Sequence, residues 1–252
     1  MTTAAIQPVS VFADARHDVM TVYKAELAFH GKLLGGIPKN PRVIPDWIRT
    51  WAQDTNEDER KAILVRTMRE LGIEIPDEAT NEQIQEIIDH LAEETAGVLH
   101  TNGFKRNEHG LYIESRQVKA AIKEAVNIHF AGERWGATKK GPRSFSAERV
   151  FVQPDQIQLG RFEPDGVELV IGHITDKSGR RATLTNYEFV EMATVEFEVH
   201  VVDDSIKPEW WARIWTQVEY GGLGAVRSMG FGTCAVTRWE LRPAKPTPTY
   251  RY

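Results

Sequence analysis

The sequence predicts an α+β fold. Two segments, 22–34 and 191–202, alternate apolar and polar residues with a period of two, and two others, 113–128 and 208–220, repeat apolar residues at helical spacing. The strands and helices follow one another as strand, helix, strands, helix, strand. At 252 residues with 41% hydrophobic content, the chain can fill one core with insertions, or two small ones.

In 22–34, Tyr23, Ala25, Leu27 and Phe29 share one face and Lys24, Glu26 and His30 the other, the pattern of a half-buried strand. It ends on Leu33-Leu34-Gly35-Gly36. Residues 55–96 then carry twelve Asp or Glu against four Lys or Arg, a net of −8 that leaves +3 for the rest of a chain whose total is −5. This block reads as two helices. One covers 58–71, and the other opens on a capping box of Thr80 and Gln83, followed by Ile84, Ile87, Ile88 and Leu91. It is expected to be an acidic helical insertion (55–97) in a discontinuous core (1–54 and 98–242), with its acidic face kept off phosphates by like-charge repulsion. A solvated helical pair without a specific role explains the block equally well.

Helix 113–128 puts Val118, Ala121, Ile122 and Ala125 on one side. Arg116, Lys119 and Lys123 lie on the other, within a stripe of about 60° at 100° per residue. Further strands are expected near 156–162 and 167–174, with a turn at Asp176-Lys177-Ser178-Gly179. In 191–202, Val195, Phe197, Val199 and Val201 oppose Glu196, Glu198 and His200. Pro208 suits a first helical turn, and Trp211, Ile214, Trp215 and Val218 form the apolar face of helix 208–220. A last strand covers 233–241, and the tail 243–252 reads as extended. The succession is an elaborated ferredoxin-like order.

Between the last helix and the last strand stands Gly221-Gly222-Leu223-Gly224-Ala225-Val226-Arg227-Ser228-Met229-Gly230-Phe231-Gly232. Phosphate-cradling loops run from strand to helix and use the positive helix N-terminus. This loop follows the negative end of a helix and has neither a Walker Gly-Lys-Ser/Thr nor the third glycine of a dinucleotide fingerprint. An anion here would be held by the loop amides and Arg227. A tight connection that packs helix against strand explains the glycines as well.

The loop resembles the glycine-rich loop of the RAMP superfamily, the ferredoxin-like, RRM-related RNA-binding proteins of CRISPR effector complexes. Gly110-Leu111-Tyr112-Ile113-Glu114-Ser115-Arg116-Gln117-Val118-Lys119-Ala120-Ala121-Ile122-Lys123 resembles the element that opens the family's first helix, with Glu114 in place of the usual proline and no glycine after it. Leu33-Leu34-Gly35-Gly36 stands where the family has its Gly-Gly turn. The three segments occur in the family's order and span most of the chain. The resemblance implies a subunit of an antiviral-defence ribonucleoprotein that coats guide RNA. Its expected partners are guide RNA, target nucleic acid, further copies of itself along the RNA and other effector subunits.

Candidate RNA-binding residues follow. Arg116, Lys119 and Lys123 form a cationic ridge whose bland reading is a solvated face. Arg134, Trp135, Lys139, Lys140 and Arg143 form a basic loop with an aromatic able to stack on a base. Lys39 and Arg42 follow the Gly-Gly turn. Gly222, Gly224, Arg227 and Gly230 belong to the glycine loop. Such cations neutralise phosphates with little reading of sequence.

Two residues are candidates for catalysis. Asp46 stands near the position where some backbone subunits of the family carry a cleaving aspartate, though after Pro45 it reads first as a helix cap. His30 is the nearest candidate for a general base. His17-Asp18 has no partner ligands at metal-binding spacing. An RNA-cleaving enzyme and an interaction scaffold are therefore the competing functions.

No apolar run is long enough to span a bilayer, and no charged region leading into an apolar core marks a secretory signal. The single cysteine, Cys234, excludes an internal disulfide and fits a reducing cytoplasm, with packing as its expected role. No Cys/His spacing calls for zinc, and no cofactor is expected.

Overall fold

The computed structural model describes residues 20–52, 55–76, 79–94, 101–135, 139–176, 179–202 and 206–242. It is a mixed α+β structure with several antiparallel sheets and, among the described residues, six α-helices. His17-Asp18, the tail 243–252, the middle of the basic loop and the tip of the turn at 176–179 lie outside the described residues.

The first sheet has the order β12-β1-β11-β7, every neighbour antiparallel. Its strands are β1 (Met20–Phe29), β7 (Val150–Gln153), β11 (Thr194–Val202) and β12 (Cys234–Leu241). The period-two reading of β1 holds, since Ala25, Leu27 and Phe29 are buried and Lys24 is exposed. The chain does not run on to Leu34 as one strand. It turns at His30-Gly31, and β2 (Lys32–Leu34) joins a second sheet of order β2-β10-β4-β3, in which β9 also pairs with β10. Here β3 is Ile37–Pro38, β4 Thr101–Gly103, β9 Gly166–Asp176 and β10 Gly179–Glu191. A third sheet joins β5 (Lys105–Asn107), β6 (Gly110–Glu114) and β8 (Gln156–Gln158).

Hydropathy does not reveal β5 or β10, for a physical reason. Each carries a charged residue at a buried position. Glu188 of β10 is buried because Lys39 and the Phe104 N–H satisfy its carboxylate. Lys105 of β5 is buried between Glu70 (2.8 Å) and Glu114 (3.4 Å). A paired charge occupies a core position while the sequence reads as surface.

Three helices belong to the acidic region and its entry: α1 (Ile44–Trp51), α2 (Glu57–Glu70) and α3 (Asn81–Glu94). The capping box before α3 forms as expected, with the Gln83 N–H donating to Thr80 Oγ1 and the Thr80 N–H to Gln83 Oε1. These helices share a core of their own. Ile37, Ile44, Ile48 and Ala52 meet Met68, Leu71, Ile84 and Ile88, so this cluster begins upstream of residue 55.

The larger core lies beneath the first sheet, where α4 (Ser115–His129) and α6 (Pro208–Gly221) pack. The expected helix 113–128 starts two residues late because Ile113 and Glu114 complete β6. The four predicted apolar positions of α4 and the four of α6 are all buried. Pro142 and Arg143, read from sequence as the end of a basic loop, instead open α5 (Pro142–Arg149), with Pro142 in the first turn and Phe145 buried.

Candidate nucleic-acid groove

The glycine loop is built by close backbone approach. Gly222, Gly224 and Gly232 all have positive φ, and a Cβ on Gly224 would lie 2.6 Å from the Leu34 carbonyl oxygen. The Ala225 N–H donates to that carbonyl (3.0 Å), the Gly232 N–H to the Lys32 carbonyl (3.0 Å), and the Leu223 N–H to the Gly232 carbonyl (2.9 Å). These three glycines therefore let the loop backbone pack closely against its neighbours, the role that a tight connection between helix and strand gives them. Gly230 differs. Its φ is +88°, and nothing lies within 4 Å of its missing Cβ. Val226 holds φ 56°, a left-handed conformation that costs a β-branched residue about 1–2 kcal/mol.

The loop is sewn to the segment after β1, and both border α4. An open groove of about 370 Å³ results, lined by Gly36 and Ile37, by Trp47 of α1, by Arg116, Gln117, Ala120, Ala121 and Glu124 of α4, and by residues 222–225 and Arg227. Its floor is small side chains and backbone. Its charged rim is Arg116, Arg227 and Glu124.

Neither arginine is without a partner. Arg227 Nη1 donates to Glu124 Oε2 (2.9 Å), with the two side chains 37% and 50% exposed. Arg116 holds one oxygen of Glu114 through Nε (2.9 Å) and Nη2 (2.6 Å). Burial alone would raise the Glu114 carboxyl, but the hydrogen bonds from Arg116 and the charge of Lys105 outweigh it and hold the group below the usual carboxylate range. The ridge divides at Arg116. Lys119 turns away from the groove to lie over the Phe151 ring (4.7 Å), where burial and the charge of Lys123 lower its affinity for a proton. Lys123 also lies outside the groove lining.

Other candidates stand elsewhere. Trp135 is 4% exposed and stacked on Trp210 at 4.5 Å, with Nε1 donating to Glu133 (2.8 Å), so its ring is core and is not offered to a base. Lys140 pairs with Glu148, while Arg134, Lys139 and Arg143 are exposed. Lys39 is not a free phosphate contact, because it neutralises Glu188; Arg42 is exposed.

Asp46 is not the cap expected of it. The N-cap is Val43 without a side-chain bond, and Asp46 sits in the first turn of α1, paired with Arg49 at 2.8 Å. His30 lines a separate groove with Lys32, Glu191 and Gly230. Cys234 is buried, and burial, then the charge of Glu219, raises its thiol to about 12.

Sequence reasoning missed Trp47 and Glu124. Trp47 packs partly on the second core, and Glu124 looks like one more acid on a solvated helix face. The available signal was its place: Glu124 follows Arg116 at i+8, on the groove-facing row of α4.

Among the described residues, no helix is long and apolar enough to cross a membrane. No family model matches the chain, and no curated protein matches it. Among solved structures, a chain of the Type III-B Cmr-beta bound to cognate target RNA is similar, with a TM-score of 0.47 and 11% identity over 91% of this chain and 63% of that one. The chain thus spans less than two thirds of that neighbour's length.

Proposed function

We propose that the protein is a guide-RNA-binding backbone subunit of a CRISPR-type ribonucleoprotein effector complex, and that RNA lies along the groove between α4 and the glycine loop. One observation carries this reading. The three segments that carry the resemblance in the sequence, the Gly-Gly turn, the start of α4 and the glycine loop, line a single groove. They are far apart in the chain, so their convergence is a property of the fold.

Other features support it. The sheet order β12-β1-β11-β7, with α4 between β1 and β7 and α6 between β11 and β12, agrees with a ferredoxin-like core. The floor of Ala120, Ala121, Gly222 and Gly224 lets an extended chain approach closely, and Arg116 and Arg227 supply cations at the rim. Lys123, Lys119, Arg134, Lys139, Arg143 and Arg42 extend the basic surface outside it. The division into a discontinuous core and an acidic helical insertion belongs to the same reading, as does function in the cytoplasm. For self-association along the RNA, the support is β9. It pairs only with β10 among the described residues, and it exposes Val167, Leu169 and Ile171 in alternation. Target nucleic acid and other effector subunits complete the proposed partners.

An RNA-cleaving enzyme has less support, since Asp46 is tied to Arg49 and His30 lines a different groove. The test is RNA affinity as a function of salt. Replacing Arg116, Lys119 and Lys123 together by alanine should weaken binding and flatten the salt dependence by up to about three ions. Unchanged affinity and slope in a folded variant would rule the surface out. Sequencing of RNA that copurifies with the protein then identifies it as guide or not.

A further inference from the structure

We propose that Glu124 reads the ribose 2′-hydroxyl and makes the groove select RNA over DNA; this rests on the reading of the groove as an RNA site. A groove that attracts phosphates gains nothing from a carboxylate, yet Glu124 stands on its rim, half exposed, 2.9 Å from the arginine best placed to meet a phosphate. It is the one carboxylate lining the groove among the described residues. A carboxylate accepts several hydrogen bonds, and among the described residues Arg227 is the donor it meets. Capacity remains for an outside donor.

In a nucleic-acid backbone the hydroxyl donors are the ribose 2′-hydroxyls, which DNA lacks. On each nucleotide that hydroxyl sits beside a phosphate. The adjacent Arg227 and Glu124 present the complementary pair, a donor cation for the phosphate and an acceptor anion for the hydroxyl. Ala120, one turn before Glu124 on the same row of α4, leaves room for the sugar. Against DNA the same carboxylate meets phosphate with no compensating hydrogen bond. Glu124 thus discriminates in two ways, by attracting the ribose and by repelling a backbone that lacks it.

The experiment measures binding of one sequence as RNA, as DNA and as 2′-O-methyl RNA, at fixed salt, to the wild-type chain and to Glu124→Gln and Glu124→Ala. The wild type should favour RNA over DNA by about tenfold, the effect of one hydrogen bond to a charged group, and should bind 2′-O-methyl RNA like DNA. In Glu124→Ala the preference should fall to near one, mainly through tighter DNA binding. Glu124→Gln keeps an acceptor oxygen without the repulsion and should fall between.

A simple counter-ion role predicts equal tightening on RNA and DNA, which would overturn the proposal, as would an unchanged RNA preference in Glu124→Ala. In both cases RNA is still bound and the functional reading stands. A wild type that binds neither polymer overturns the functional reading and this proposal together. Thermal melts confirm that the half-exposed site tolerates both substitutions.

Discussion

At the scale of single residues, the glycine loop contains two kinds of glycine, and they should behave differently. Gly224→Ala places a methyl 2.6 Å from the Leu34 carbonyl oxygen at φ +80°, where the backbone on both sides is hydrogen-bonded and cannot retreat. Gly230→Ala meets open space and bears only the conformational cost of its positive φ, about 1–2 kcal/mol. Gly224→Ala should therefore lower the melting temperature clearly more than Gly230→Ala, and equal melting temperatures would contradict the packing role. Arg227→Ala is the complementary change. Its ion pair with Glu124 is largely solvated, so stability should move by less than about 1 kcal/mol. RNA affinity should fall several-fold, because the groove loses a cation and keeps a carboxylate. Normal affinity in this variant would remove the loop from the binding surface. The loop's glycines were visible in the sequence, but which of them pack and which stand open was not. That depends on Leu34, a residue nearly two hundred positions away whose carbonyl the loop encloses.

At the scale of elements, the period of apolar residues was enough to find β1, α4, α6 and β11, since each buries one continuous face. It failed where an element buries charge. β5 and the start of α4 are joined by Lys105, which bridges Glu70 of α2 and Glu114 at the N-cap of α4, while Glu114 also holds Arg116. In a hydropathy reading all four residues belong on the surface. Trp135 failed in the opposite sense. A tryptophan among cations suggested a stacking platform, yet it closes the core against Trp210 and Phe145. The charged junction leads to a pH prediction. Glu114 has a depressed pKa when folded, so its contribution is present above the ordinary carboxylate value of about 4.3 and is lost as pH falls through the folded value. Stability followed by denaturant titration from pH 7 downward should fall in that acid window, and Glu114→Gln should fall less steeply there. Lys105→Met should destabilise at neutral pH by about 3 kcal/mol, since it leaves two carboxylates facing an apolar side chain. A change below about 1 kcal/mol would mean that water already reaches the junction.

At the scale of the whole molecule, charge is distributed unevenly. The segment 55–96 carries −8 and the remainder +3, so the groove's cations work beside a strongly negative neighbour. This partition was legible in the sequence. The sharing of α1 between the two halves was not. α1 lends Trp47 to the candidate groove and Ile44 and Ile48 to the helical core, and only the folded chain brings those together. One helix therefore couples the acidic unit to the candidate groove, and the unit's field should reach that groove through solvent. Glu82, Glu86 and Asp89 are exposed on α3, where neutral replacements disturb no buried contact. Changing all three to the corresponding amides should tighten RNA binding at low ionic strength, where the Debye length is about 30 Å at 0.01 M, and should have almost no effect near 1 M, where it is about 3 Å. The rate of association should show the effect more than the rate of dissociation, because a distant field acts on approach. If the acidic unit instead touches RNA through hydrogen bonds to these carboxylates, the same variant binds more weakly, and the difference persists at high salt. The sign of the change at low salt, and whether it survives at high salt, decides between a repulsive fence and a contact surface.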